Sequence, residues 1–372
     1  MTINSRMRPL LGLAFFFAVV FLLGRYTAQH DETRSPYYLR FEVFGTFGEM
    51  ILYHKKDEAQ LAAEEILEQL QDLHDRFNKF DSDSELSRLN ARAHEEPVQC
   101  SEPLWEILRH ARRGYALSDG AFDVTVAPLM RVWGFRGKRG EWPTDSELET
   151  ARAAVGLGSV RFNSSKRTVR FTHPLTGIDL GGIAKGYALD RIVEILDQHE
   201  LNRGLINLGG NIRALQPPNS RQRAYGIGVK NPMKPDTVLG RVPLRNSCVS
   251  TSGGYEKFLM IDDQAVSHVI DPRTGQPVQK RVGVTVVTPR GVDSDMFSTA
   301  VLVGGEEVAH ALASTISDTK ILITETSGDD ESRHIEVGWE WQSDTPPNWV
   351  QKTWQMLRSL WRKTAERFLD SG

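Results

Sequence analysis

From about residue 168 the chain breaks into short apolar runs: "TVRF", "GIDL", "GLINLGG", "AYGIGV", "CVSTSG", "VGVTVVTP" and "KILITET", each bounded by Gly, Pro or Asn. Runs this short are strands rather than helices. Helical segments follow "GIDL" and "GVDSD". Upstream, "YLRFEVFGTFGEMILYH" alternates apolar residues and predicts two strands folded about Gly45. "DEAQLAAEEILEQLQDLHDRFNKF" places Leu61, Ile66, Leu70 and Leu73 on an amphipathic helix. "SEPLWEILRHARRGYALSDG" opens on a Ser-x-Pro start signal and stops at Gly120, which predicts a second helix. Strands and helices interleaved in this way predict an α+β fold in which mixed sheets and helices share one core. The 372 residues allow one large domain or two.

The two ends differ from this body. Arg6 and Arg8 precede an uncharged apolar run from Pro9 to Gly24. As a helix it would be ~24 Å long at ~1.5 Å per residue, slightly short of a ~30 Å hydrocarbon core. The flank "RYTAQ" lacks the small residue wanted three places before a cleavage site, so residues 1–30 read as a signal anchor in preference to a cleaved signal peptide. Everything beyond about residue 30 is then exported, and the expected location is a bacterial inner membrane with the body on the periplasmic side. At the other end Trp354, Leu357, Leu360, Trp361 and Phe368 form a helical stripe flanked by Lys and Arg. Residues 336–372 therefore read as an amphipathic extension that lies on a membrane or docks on protein, leaving 31–335 as the body. A net charge of −3 argues against nucleic acid as a partner. Cys100 and Cys248 form no zinc pattern, and spacing leaves a disulfide between them open.

Three stretches carry chemistry. In "GVDSDMFSTAVLVGG" (291–305), Asp295 and Thr299 are four apart and share a helix face, with Ser298 beside them. A helix cap accounts for one of these oxygens but not for all three. "IDLGGIAKGYALDRIVEIL" (178–196) runs from strand through a Gly181-Gly182 turn into a helix, and Lys185 adds a full charge to the free N–H groups of the helix start. That combination suits a phosphate, although it is neither a P-loop nor GxGxxG. Asp179 is the odd member, since a carboxylate beside a phosphate is repelled unless it binds something else. "SHVIDPRTGQPV" (267–278) sets His268 at a strand end before a tight turn, a position for a general base. "LGGNIRA" and "STSGGYEKF" add further glycine-rich strand ends of the kind that bring backbone close to a ligand.

Taken in order, "GAFDVTVAPLMRVWGF", "IDLGGIAKGYALDRI", "GLINLGGNI", "VSTSGGYEKF", "SHVIDPRTGQP" and "DSDMFSTA" resemble the motif series of the ApbE family, the FAD:protein FMN transferases, over roughly residues 38–327. The resemblance implies a T-fold-related architecture, bound FAD as substrate, a Mg²⁺ ion, and an exported enzyme. "FGT" stands where the family has "MGT", which puts Phe44 against the flavin. Phe80 falls where the family stacks an aromatic on FAD. Ala121, Phe122 and Asp123 match closely as FAD contacts; Asp179 would hydrogen-bond FAD, Lys185 is the next contact, and Ile270 would pack on the ligand. The metal would take the Gly182 carbonyl and the side chains of Asp295, Ser298 and Thr299, a hard-oxygen set that suits Mg²⁺.

These roles imply attack by a Thr or Ser hydroxyl of an acceptor flavoprotein, a subunit of a membrane redox complex, on the FMN-side phosphorus, with AMP leaving and His268 accepting the proton. Two other readings share the site: an exported FAD pyrophosphatase giving FMN and AMP, and a flavin carrier without catalysis.

Overall fold

The computed structural model describes residues 36–135, 141–218, 222–232, 237–254, 258–262, 264–278, 282–327 and 331–341. The expected signal anchor and the basic C-terminal helix lie outside the described residues. Among those described, no helix is long and apolar enough to cross a membrane.

The α+β expectation holds. An eight-stranded sheet, antiparallel throughout, runs in the order β1 (Tyr37–Val43), β2 (Thr46–Leu52), β6 (Gly204–Leu208), β7 (Asn211–Ala214), β10 (Ser247–Gly253), β13 (Val282–Thr288), β14 (Lys320–Ser327), β15 (Glu331–Val337). Its first turn is Phe44-Gly45, both at positive φ (54° and 66°), the geometry a two-residue hairpin needs. Alternation along the strands divides the core between the two faces. Ile206, Leu208, Val284, Val286, Ile321 and Ile323 point to the main core, where α1 (Lys56–Phe77), α3 (Glu102–Leu117), α6 (Ala184–Gln198) and α7 (Gly291–Thr315) pack. Ala214, Val249, Val287 and Leu322 point the other way, to a second core closed by the hairpin of β8 (Tyr225–Lys230) and β9 (Val238–Leu244) and by Trp339.

Smaller pieces complete the body. The helix α2 (Glu85–Arg92) and a three-stranded sheet, β3 (Val98–Gln99), β5 (Thr168–Phe171) and β4 (Val160–Asn163), pack on the main core, whereas α4 (Ala127–Val132) and α5 (Asp145–Ala153) belong to a third cluster. That cluster joins Leu129, Trp133 and Ala151 to Ile261, Val266 and Ile270 on and beside the hairpin of β11 (Phe258–Ile261) and β12 (Gln264–Ser267).

Three details differ from the sequence reading, and a fourth settles the cysteine pairing that it left open. Leu61 is 60% exposed, and the buried stripe of α1 is Ala59, Ala62, Ala63, Ile66, Leu70, Leu73 and Phe77. Small alanines sit where other elements press close, so the apolar stripe is broader than its large residues indicate. "GIDL" is extended chain held by a single bridge, Gly177 to Val126, rather than a ladder strand. The boundary expected at residue 335 falls inside β15, and packed side chains continue to Trp341, which covers Gly240 of β9 and meets Trp339 edge-on at 5.4 Å. Cys100 and Cys248 are separate buried thiols, with burial pushing both up to about 12.

Candidate active site

The helix starts of α6 and α7 meet at the centre of the site. A Cβ placed on Gly186 would stand 2.2 Å from the Gly291 carbonyl oxygen, and one on Gly291 would stand 2.5 Å from the Gly186 carbonyl oxygen. Only glycine permits this backbone-on-backbone approach. Asp295 is buried and does not cap its own helix. The N-cap of α7 is Arg290, without a side-chain cap bond, and Asp295 Oδ2 instead accepts the Gly186 N–H at 2.9 Å. Its other oxygen, Oδ1, lies 3.8 Å from Lys185 Nζ.

Ser298 and Thr299 behave differently from each other. Ser298 is fully buried; its hydroxyl donates to the Asp295 carbonyl at 2.9 Å and lies 2.8 Å from Ser252 Oγ of β10. Thr299 is the one partly exposed residue in the run 291–300, and its Oγ1 makes only long approaches of 3.4 Å to Ser252 Oγ and to the Asp295 carbonyl. It faces Gly182, where a Cβ would come to 3.3 Å from both Thr299 Oγ1 and the Phe122 ring. Thr299 Oγ1 therefore faces the Gly182 turn, and one turn earlier on the same helix Asp295 presents Oδ1 to the Lys185 ammonium, three residues beyond that turn. This donor set fits Mg²⁺, which takes few protein ligands and keeps room for water and phosphate oxygens. Among the described residues there is no cluster of three His, Cys, Asp or Glu that would suit a softer metal.

The segment Ala121–Asp123 lies beside the Gly182 turn. Ala121 and Phe122 are buried, and the Phe122 ring covers Gly182 and Gly114. The Asp179 N–H donates to the Val124 carbonyl at 2.7 Å, which ties this segment to the glycine turn. Asp123 is buried and accepts both the N–H and the hydroxyl of Thr125, each at 2.7 Å; burial pushes its carboxyl up to about 6. Asp179 resolves its own oddity. Its Oδ2 pairs with Lys79 Nζ at 2.5 Å and its Oδ1 accepts the Gly181 N–H at 2.9 Å, so its charge is matched before any ligand arrives.

The remaining sequence-derived residues spread outward. Phe80 is 78% exposed, with the Lys79 ammonium 5.3 Å from its ring centre, free to cover a planar ligand. Phe44 donates its N–H to His74 Nδ1 at 3.2 Å and stacks edge-on with that ring at 5.8 Å, one turn before the end of α1. Ile270 is buried against Leu129 and Trp133 in the third cluster rather than open to solvent. His268 is partly exposed and directly follows β12, whose hairpin leaves from the end of β10 that carries Ser252. A cavity of about 410 Å³ opens between the Asp271–Val278 turn, Val301–Gly305 of α7 and β14. Gly305 breaks α7 there (φ 68°, ψ −152°), and Gly304 lies against Ala121. The volume is in the usual range for small-molecule sites.

Two residues escaped the sequence reading. Lys79 stands next to Phe80 and neutralises Asp179 from 100 residues away. Asp190 accepts the N–H groups of Gly291 and Val292, at 2.6 and 3.1 Å. Neither has a local signal, since both act across the fold.

Comparison with known proteins covers the same region of the chain. The ApbE family model matches residues 44–323, a span that holds every candidate site residue named above. The chain belongs to the ApbE family. Among curated ApbE-family relatives, the FAD:protein FMN transferase of Vibrio cholerae is 31% identical over 261 residues, covering 69% of this chain and 77% of that one. The FAD:protein FMN transferase of Haemophilus influenzae is 32% identical over 277 residues, covering 70% and 80%. Among solved structures, the flavin transferase ApbE from Vibrio cholerae superposes with a TM-score of 0.72 at 26% identity, over 81% of this chain and 97% of that one. The ApbE protein of Thermotoga maritima gives 0.71 at 31% identity, over 78% and 94%.

Proposed function

We propose that this chain transfers FMN from FAD to a threonine or serine hydroxyl of an exported acceptor protein, releasing AMP, with Mg²⁺ bound at Gly182, Asp295 and Thr299. Family membership and the names of the relatives make the chain a flavin transferase in general terms. The finer statement is supported chiefly by one observation: Thr299 Oγ1 faces the Gly182 turn while Asp295 Oδ1 lies 3.8 Å from Lys185 Nζ, at the positive end of α6.

In this reading the α6 start and Lys185 hold the pyrophosphate, while Phe80 and the residues at Ala121–Asp123 hold the rest of FAD. Bound Mg²⁺ would supply charge neutralisation on the pyrophosphate and on departing AMP. The acceptor oxygen bonds to the FMN-side phosphorus, the bond from that phosphorus to the AMP oxygen breaks, and His268 takes the hydroxyl proton. Charge in such a transition state is spread over phosphoryl oxygens, so orientation by these groups supplies most of the acceleration. Ser298, tied to Ser252 and to the Asp295 carbonyl, serves here to fix the first turns of α7 against β10. The N-terminal apolar run anchors the enzyme to the inner membrane and places the site on the periplasmic side, where a redox-complex subunit would present its hydroxyl.

The test is incubation of residues 31–372 with FAD, Mg²⁺ and family-type acceptor domains, followed by intact mass. Addition of an FMN mass to the acceptor with equimolar AMP is expected. Free FMN and AMP with no acceptor labelled would replace transfer by hydrolysis, and absence of AMP would leave only binding.

A further inference from the structure

The same five-residue spacing occurs at both helix starts: "GYALD" at 186–190 in α6 and "GVDSD" at 291–295 in α7. In each, glycine and aspartate are four apart and share a helix face. The two faces are turned toward each other. Gly186 N–H donates to Asp295 and Gly291 N–H donates to Asp190, while the two glycines touch through their backbones. Neither helix caps itself, because Ile183 and Arg290 occupy the N-cap positions without a side-chain cap bond. Each helix start is therefore satisfied by the aspartate of the other, across about 100 residues of chain. The two halves differ in one respect. Asp295 keeps a second oxygen free of N–H donors, whereas Asp190 spends one oxygen on Gly291 N–H and the other on Val292 N–H, with Arg290 Nε 3.6 Å away.

We infer that Asp190 is a positioning residue for the metal site: by clamping the first turn of α7 onto α6, it fixes where Asp295 Oδ1 stands beside Lys185 and Thr299 Oγ1 beside Gly182. This rests on the metal reading above. The clamp works through geometry rather than charge on the ligand. Gly186 N–H holds Asp295 Oδ2 and leaves Oδ1 to the cation, and this division persists only while the Asp190 half keeps the helix starts in register. Residues that orient metal ligands in this way typically alter affinity or activity about 10–100-fold when changed.

Asp190→Asn is the first variant. Its amide oxygen still accepts one N–H, but its NH₂ confronts the other. The readout is Mn²⁺ binding in the presence of FAD, measured from loss of the free-ion EPR signal, alongside transfer rate against Mg²⁺ concentration and a urea melt. Val242→Ala, a cavity in the second core on the opposite face of the sheet, controls for stability loss alone. The expected result is Mn²⁺ affinity about tenfold weaker in Asp190→Asn, with transfer recovering at high Mg²⁺ and unchanged affinity in Val242→Ala. Equal weakening in both variants, or parental affinity in Asp190→Asn, overturns the assignment. If the parent itself binds no Mn²⁺, the metal reading fails instead. Should Asp190→Asn not accumulate as folded protein, hydrogen exchange of the parent decides: peptides covering 184–190 and 290–295 should both slow when Mg²⁺ joins FAD. Protection confined to one of them refutes the coupled clamp.

Discussion

Gly186 sits inside α6, where glycine costs about 1 kcal/mol relative to alanine. On propensity alone Gly186→Ala should stabilise the protein. The structure reverses the sign. The added methyl would lie 2.2 Å from the Gly291 carbonyl oxygen and 2.6 Å from Asp295 Cβ, well inside van der Waals separation. Neither obstacle is the mobile end of a side chain, so the helices must part by about 1 Å. Overpacking of this kind costs roughly 1–3 kcal/mol, and rigid backbone on the other side puts the cost at the upper end. With the propensity gain returned, the net loss is about 2 kcal/mol, a fall in melting temperature of about 3 °C for a body of roughly 300 residues. Function should suffer more. The shift falls on the residues that face Gly182, and ~1 Å of misplacement at a reacting centre costs on the order of 10²-fold in rate. Urea melts and transfer rates for Gly186→Ala measure both effects. Gly158→Ala, with nothing within 4 Å of the added carbon, is the neutral comparison. A Gly186→Ala protein that is as stable and active as the parent would refute the close approach of α6 and α7.

Asp295→Asn should weaken Mg²⁺ binding and be partly restored by excess metal, and Thr299→Val should act similarly but more mildly; titration of transfer rate with Mg²⁺ separates them. His268→Ala should lose roughly 10²–10⁴-fold in rate with FAD binding kept and no response to metal; rescue by Mg²⁺ would deny it the role of base. Burial holds the Asp123 carboxyl at about 6, above its unfolded value of 3.8, so the folded state binds the extra proton between those limits and this residue's contribution to stability falls as pH rises from about 4 to 6. Asp123→Asn should flatten that part of the urea-midpoint profile, and an unchanged slope would assign the pH dependence elsewhere. Deleting residues 345–372 should leave transfer by the soluble enzyme nearly unchanged. Trp341→Ala should instead lower stability by opening the face of β9, read as a lower urea midpoint.

The elements that local pattern specifies were legible. The β1–β2 hairpin turns at Gly45, and α3 starts at Ser101, whose side chain accepts the Leu104 N–H, as the Ser-x-Pro signal implies. β5, β6, β8, β10, β13 and β14 fall on the short runs, whereas β9, β11 and β12, which lie in the smaller two-stranded sheets, were not singled out. Strand order was not legible. Nothing in "GLINLGG" says that it pairs with β2 across about 150 residues, since backbone pairing is the same for every sequence. The α1 stripe was misread at Leu61 because large residues were given weight and alanines were not, although Ala59, Ala62 and Ala63 are buried. Within the candidate site, motif order singled out Gly182 and 295–299, and the fold brings Thr299 to Gly182; it did not single out Lys79 or Asp190, whose contacts appear only when distant segments meet.

The oxygens at the head of α7 show why local reasoning stops where it does. An aspartate near a helix start reads as a cap, and capping is indeed what Asp295 does, but for α6 rather than for its own helix. The local rule has the right chemistry and the wrong partner. A sequence carries the partner only as a second copy of the same spacing, Gly186 to Asp190 matching Gly291 to Asp295, and one such match is too short to notice without the fold. Reciprocal capping also explains how a carboxylate can be buried beside the helix start to which we assign the pyrophosphate. With one oxygen fixed by a backbone N–H and Lys185 beside the other, Asp295 is already held in place, so the metal binding we propose need not first order it. The glycines follow from the same requirement, because a side chain at either position would separate the two helix starts whose N–H groups and carboxylates hold each other.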